Sequence, residues 1–330
     1  MSFRGSNESL RSRVWNNRFS RAAKRPLYWI ETLNDTQFVY LLLIPTFVVL
    51  SVFAFWPLVE TFVMSLHENN IWGAADIGEF VGLQNYIDLF TGKEQVFLSQ
   101  PLLDLSTPFQ SALIVTFVFT VVSVVIEAIL GIAWALVLDR SFRGRRWVRL
   151  AVLLPWGVPV AIHGMMFFLL FSPGIGLLVE PLHQFGLISQ APLSIPSEAL
   201  WLAIVADIWK TTPFVALITL AAMQSIDRDL YDVAKVNGAS KWQQFKFITY
   251  PLILPALLVA LLFRTIQALK VYGIVEIMAG CNTVPTLSCM VVSTFQSRYY
   301  GTSATIAIVT ALIVGVFVSG YIFQFRKEGI

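Results

Sequence analysis

Six apolar stretches, each long enough to cross a bilayer, constrain this chain more than any other feature. They run at 38–63, 112–138, 147–171, 200–222, 251–279 and 303–325. A membrane span needs roughly 20 apolar residues, and every stretch exceeds the roughly 10–14 of a buried soluble helix. In lipid, backbone polar groups must be satisfied inside a helix or a closed barrel. Stretches this continuous, without the alternation of a barrel strand, predict helices. Hydrophobic residues make up 56% of the 330 and charged residues 13%, too little charge to cover a soluble fold of this length. The expectation is an all-α integral membrane protein built as a six-transmembrane-helix bundle in the cell membrane. Basic residues precede the first stretch, as in a secretory signal. Its apolar core is longer than the roughly 7–15 residues of a signal and no small-x-small site closes it, so it reads as a retained span.

The placement of charge says more than its net value of +3, which gives no reason to expect nucleic acid as a partner. Seven Lys/Arg precede Phe38. Five follow the second stretch, from Arg140 to Arg149, and four lie between Arg228 and Lys246. Arg326 and Lys327 close the chain, so these segments hold eighteen of the 23 basic residues. The opposite loops carry Lys93 and Arg298. Positive residues stay cytoplasmic, which predicts cytoplasmic termini and an even number of spans. The domain reading is a basic tail at 1–37, a membrane domain at 38–325 and a cytoplasmic end at 326–330.

The cytoplasmic segment 227–250 is more than a connector. Leu230, Val233 and Ala234 share a helical face, Asn237–Gly238 breaks that helix, and Ser240 with Gln243 forms a capping-box pattern for a second one. The second helix is expected to stop near Pro251. A pre-formed amphipathic elbow of this kind suits docking to a partner. On the other side, Leu83–Phe90 predicts a short interfacial helix. Cys281 and Cys289 share an outward loop, where a disulfide and two free thiols are both open readings, the thiols being the plainer one. His67, His163 and His183 are isolated, and no metal-ligand cluster stands out.

The run DVAKVNGASKWQQFKFITYPLILP, residues 232–255, resembles the coupling-loop motif of binding-protein-dependent ABC importer permeases. Asp232, Val233 and Ala234 occupy its Glu-Ala-Ala positions, followed by Gly238, Ala239, Phe245, Ile248 and Pro251. FVGLQNYIDLF (80–90), LLPWGVPV (153–160), SPGIGLL (172–178) and ADIWKTTPFVALITLAAMQSID (206–227) resemble landmarks of the maltose- and trehalose-type carbohydrate branch. LLFRTIQALKVYG (261–273) is similar to trehalose-type members, whereas Ala279–Thr283 departs from the family's Thr-Gly-Gly-Gly-Pro stretch. The resemblance implies a type I ABC importer permease subunit carrying a di- or oligosaccharide such as trehalose or maltose. It also implies a second homologous permease, two cytoplasmic ATPase subunits and an extracytoplasmic sugar-binding protein. No G-x-x-x-x-G-K-[ST] loop is present, so ATP and Mg belong to the partner ATPase and this chain is expected to bind no cofactor.

Ionisable residues at bilayer depth are functional candidates by default. Asp207, Lys210, Thr211 and Phe214 share one face of the fourth stretch, and Arg264, Gln267, Ala268 and Val271 one face of the fifth. The resemblance matches these two faces to the sugar-contacting positions of maltose-type relatives. The competing reading is a structural network, with Asp207 paired to Lys210. Lys270 and Glu276 also fall within the fifth stretch, while Glu127 in the second is expected to bond another span. Other classes fit less well. A secondary transporter predicts an inverted repeat, and an intramembrane enzyme predicts a nucleophile elbow or an H-E-x-x-H helix, and the sequence has none of them. An importer for another small polar solute remains the alternative cargo reading.

Overall fold

The computed structural model describes residues 33–69, 78–92, 98 and 100–327, so most of the basic tail lies outside the described residues. Residue contacts divide the chain into two units, Met1–Glu60 and Thr61–Ile330. In the first, helix α1 (Asp35–Leu50) buries none of its side chains. A π-helical turn, Ser51–Phe55, follows it, and α2 (Trp56–Ser65) comes next.

The second unit begins outside the long helices with α3 (Gln84–Thr91), the interfacial helix expected from Leu83–Phe90. Asn85 on α3 ties the segment down, donating from Nδ2 to the carbonyls of Ser65 and His67 at 2.9 and 2.8 Å. Two long helices, α4 (Ala112–Asp139) and α8 (Pro196–Gln224), make the most extensive contact in the fold. Their shared seam is small and polar: Ser123, Gly131 and Ala135 on α4, Ala199, Ala203 and Ala216 on α8. Between membrane helices small residues let backbones approach closely. At Gly131 an added Cβ would sit 2.7 Å from Val215 Cγ1, so the seam has no room for a side chain there. Buried hydroxyls in this core, Thr116 and Thr212 among them, donate to the carbonyl four residues back at 2.7 Å.

The third apolar stretch is not one straight span. It forms α5 (Arg145–Gly157) and α6 (Val160–Phe171), bent by 93° at Val158–Pro159. Pro159 has no N–H to continue the ladder and disfavours a helical Val158. The break leaves carbonyls at the end of α5 without intrahelical partners, and the Lys210 ammonium donates to two of them, Trp156 and Val158. After α7 (Val179–Gln184), a 3-10 turn at Pro192–Ser194 leads into α8.

The fifth stretch is shifted from its expected bounds. From α9 (Arg228–Val236) the chain turns into α10 (Lys241–Gln244), a π-helical turn (Phe245–Thr249) and α11 (Tyr250–Leu269). The last three form one uninterrupted helix, Lys241–Leu269. The second elbow helix therefore does not stop near Pro251. The π turn widens the backbone just where the proline ring would meet the carbonyl four residues earlier. At the other end the helix stops at Leu269, and 270–279 holds a turn and α12 (Gly273–Met278). Lys270 and Glu276 thus lie beyond the long helix, and of the three charges assigned to the stretch only Arg264 is inside it. Next come α13 (Leu287–Gln296) and α14 (Tyr300–Lys327), which pack against each other.

Among the described residues every regular element is helical. Five helices are long and apolar enough to cross a membrane, or six when the bent pair counts as one span.

Candidate functional site

Three of the long helices bring their polar side chains to one point. α4 contributes Glu127, α8 contributes Asp207 and Thr211, and α11 contributes Arg264 and Gln267. The guanidinium of Arg264 donates from Nε to Glu127 Oε2 at 2.5 Å and from Nη2 to Glu127 Oε1 at 2.8 Å. Nη2 also reaches Asp207 Oδ2 at 2.8 Å, and Nη1 reaches Gln267 Oε1 at 3.1 Å. The Thr211 hydroxyl lies 2.7 Å from Glu127 Oε1 and 2.6 Å from the Asp207 carbonyl. Glu127, Arg264 and Asp207 are 0%, 3% and 8% exposed. Charges withdrawn this far from water need paired, hydrogen-bonded partners, and here each has one.

This geometry sorts the sequence expectations. Asp207, Thr211, Arg264 and Gln267 do meet, and Glu127 bonds another span as expected. The expected Asp207–Lys210 pair is not formed: Asp207 takes Arg264, and Lys210 turns to the broken end of α5. Phe214 stacks on Trp156 at 6.2 Å, on the Lys210 side. Ala268 and Val271 lie in the apolar core, Val271 beyond the end of α11, where its carbonyl accepts the Thr286 hydroxyl at 2.9 Å. In the sequence His163 looks isolated and Trp156 carries no role of its own; in the structure Trp156 stacks on Phe214, and buried His163 stacks on Trp209 at 5.5 Å. Only their apolar surroundings could have signalled them, and those look like any span.

The elbow is the second site. α9 opens on Asp227, whose carboxylate accepts the Asp229 N–H at 3.0 Å. It closes in a Schellman motif, with Gly238 N–H to Lys235 O and Ala239 N–H to Ala234 O, both at 2.9 Å. Gly238 has φ +76° and open space around its Cα, so the requirement for glycine is conformational rather than steric. The capping box expected at Ser240 and Gln243 is present, with Ser240 N–H to Gln243 Oε1 at 2.7 Å. Tyr231 and Thr249 hydroxyls, 2.9 Å apart, brace α9 against the π turn. Asp232 pairs with Lys235 at 2.7 Å on the surface, while Ile248 packs inward against the core at this end of the bundle. Val233 and Val236 face outward, the latter 89% exposed, so the elbow presents an uncovered apolar ridge. Arg228 anchors α9 to Asp139 at the end of α4 at 3.0 Å, and that carboxylate raises the guanidinium's pKa further.

On the opposite side, Cys281 and Cys289 form a disulfide, where free thiols were the plainer expectation. The turn after α12 brings their Cα atoms to 5.4 Å, within bonding reach. Glu276 Oε2 accepts the Cys281 N–H at 3.0 Å, so its proximity to the two sulfurs reflects loop bracing rather than a metal centre.

A bundle of apolar helices around a buried ion-pair network, with a pre-formed amphipathic elbow at one end, is the architecture of a membrane-spanning protein. The chain belongs to the family of binding-protein-dependent transport system inner membrane components, whose pattern it matches over residues 127–327. It is 35% identical to the trehalose/maltose transport system permease protein of Thermococcus litoralis, over 89% of this chain and 96% of that one. It is 31% identical to the sulfoquinovosyl glycerol transport system permease protein of Agrobacterium fabrum, over 76% and 77% of the two chains. Its fold is similar to that of a bacterial alginate ABC transporter crystallised with an alginate-bound periplasmic protein. The TM-score is 0.72, at 22% identity over 88% of this chain and 94% of that one.

Proposed function

We propose that this chain is the permease subunit of an ATP-driven importer that carries a disaccharide such as trehalose or maltose. One observation carries the reading: the elbow at 227–250 holds α9 rigidly while leaving Val233 and Val236 uncovered. A connector with no partner would have no reason to expose that ridge. The motif residues Asp232, Val233, Ala234, Gly238, Ala239, Phe245, Ile248 and Pro251 build the elbow, and its exposed face, Asp232 and Val233 included, would seat a separate ATPase, which brings the ATP and Mg. The bent pair counts as one span in this reading, giving six, with both termini and the elbow cytoplasmic under the positive-inside rule. The assembly comprises this chain, a second homologous permease, two ATPase subunits and an outer sugar-binding protein. The cargo assignment is supported by the Thermococcus relative, 35% identical over nearly the whole length of both chains.

The sugar path would run along α8 and α11. Within it Gln267 and Asp207 offer hydrogen bonds to hydroxyls, and Phe214 with Trp156 offers an aromatic face. Arg264 itself is committed to protein partners and serves to hold the two helices in register. The test is reconstitution in proteoliposomes with labelled trehalose and maltose. Uptake that requires the ATPase, the binding protein and ATP supports the reading. Uptake by this chain alone would overturn it.

A further inference from the structure

Beneath the elbow, a cavity of about 570 Å³ opens between α4, α8, α9 and α10, and the sugar path proposed above does not run through it. We propose that it holds an anionic phospholipid of the cytoplasmic leaflet. The headgroup would lie among Arg140, Arg228 and Lys241, with an acyl chain along α4. The inference rests on the cytoplasmic placement of the elbow, and not on the cargo.

Chemistry divides the cavity into two halves. Its lip carries three cations, Arg140, Arg228 and Lys241, against one carboxylate, Asp139, which is already paired with Arg228. That leaves a surplus of positive charge, the footprint by which cytoplasmic basic pockets hold lipid phosphates. Its wall is a stripe on α4, formed by Ile129, Ile132, Ala133 and Leu136 at helical spacing, with Arg140 next in the series. Ile129 is exposed on this membrane helix and available to hydrocarbon, whereas Leu136 packs partly against the core at this end of the bundle.

Length separates a lipid from a free phosphate. From Arg140 back to Ile129 the helix rises about 16 Å, close to the depth of one leaflet's hydrocarbon, about 15 Å. A groove that pairs cations at the surface with an apolar floor reaching the midplane matches a phospholipid end to end. Trp242, exposed at the rim and stacked on Phe245 at 5.6 Å, occupies the level where indoles favour the interface.

The experiment is native mass spectrometry of the assembled transporter after exchange into nanodiscs of phosphatidylcholine with phosphatidylglycerol. The wild type is expected to retain phosphatidylglycerol through delipidating washes. Arg140→Gln with Lys241→Gln should weaken retention about thirty-fold. Ala133→Phe, which fills the groove without touching a cation, should lower it too. Melting temperatures of both variants verify that they fold. Unchanged retention in either folded variant overturns the proposal. Displacement of the lipid by inorganic phosphate would overturn it as well, assigning the cations to a soluble anion. If the docked ATPase excludes phosphatidylglycerol from the wild type, the cavity is part of the subunit interface and the proposal fails. Reporter tags on the elbow read its side of the membrane separately, so an error in orientation is told apart from an error about the lipid.

Discussion

Arg264 and Glu127, separated by 137 residues, meet edge-on: Nε to Oε2 at 2.5 Å and Nη2 to Oε1 at 2.8 Å. The contact ties α11 to α4, and the same Nη2 reaches Asp207 on α8, so one guanidinium closes three helices. Removing it would strand two buried carboxylates. Arg264→Met should cost about 3–5 kcal/mol, seen as a large fall in melting temperature and in assembled complex. Arg264→Lys should rescue little, since an ammonium cannot reproduce the planar fork. A wild-type melting curve for Arg264→Met would show the network to be dispensable.

Gln267 separates the structural role from a cargo role. It accepts one bond from Arg264 at 3.1 Å, so Gln267→Leu should cost about 0.5–1.5 kcal/mol of stability. If its other polar atoms meet sugar, initial uptake normalised to assembled complex should also fall a few-fold. Full normalised uptake would remove Gln267 from the path.

The turn at Gly238 yields a graded pair. With φ at +76° and no atom crowding it, Gly238→Ala should cost about 1–2 kcal/mol of strain and leave coupling in place. Gly238→Pro cannot adopt that φ and loses the N–H bonded to Lys235, so the Schellman turn opens. Sugar-stimulated ATP hydrolysis by the reconstituted complex should survive the first change and disappear in the second. Full stimulation in the proline variant would argue against docking at the elbow.

The disulfide closes a loop between positions eight apart. By chain entropy, Cys281→Ser with Cys289→Ser should lower stability by about 2–3 kcal/mol. Reductant should shift the wild-type melting temperature in the same direction and leave the double variant unmoved. Equal sensitivity of both to reductant would mean that the bridge is absent.

Orientation is read by reporter tags at the two termini and within 227–250. All three are expected on the cytoplasmic side, because eighteen basic residues flank one set of loops. An outward signal from either terminus would break the six-span arrangement.

How far the sequence discloses this fold depends on the range of the interactions involved. Helix existence in the apolar stretches was legible because hydropathy is local, and so was the elbow's turn, since Gly238, Ser240 and Gln243 act on their own neighbours. The break at Val158–Pro159 was not legible. Pro45, Pro155, Pro213 and Pro255 all sit inside helices, so proline alone does not distinguish a kink from a break. The early end of α11 was hidden because Val271, Tyr272, Ile274 and Val275 keep the stretch mostly apolar around Lys270 while the backbone turns. Glu127 could be seen to need a partner, but helical spacing cannot reach across 137 residues to say which.

The continuity of Lys241–Leu269 has a mechanical consequence. Twenty-three residues separate Lys241 from Arg264, about 35 Å along one axis. Elbow and ion pair are thus two stations on a single shaft, with no loop between them to take up slack. A push or twist delivered at α10 would therefore bear directly on the three-helix junction, through the wider π turn at Phe245–Thr249. That turn interrupts the α-helical ladder of the shaft, and the Tyr231 hydroxyl meets it at Thr249.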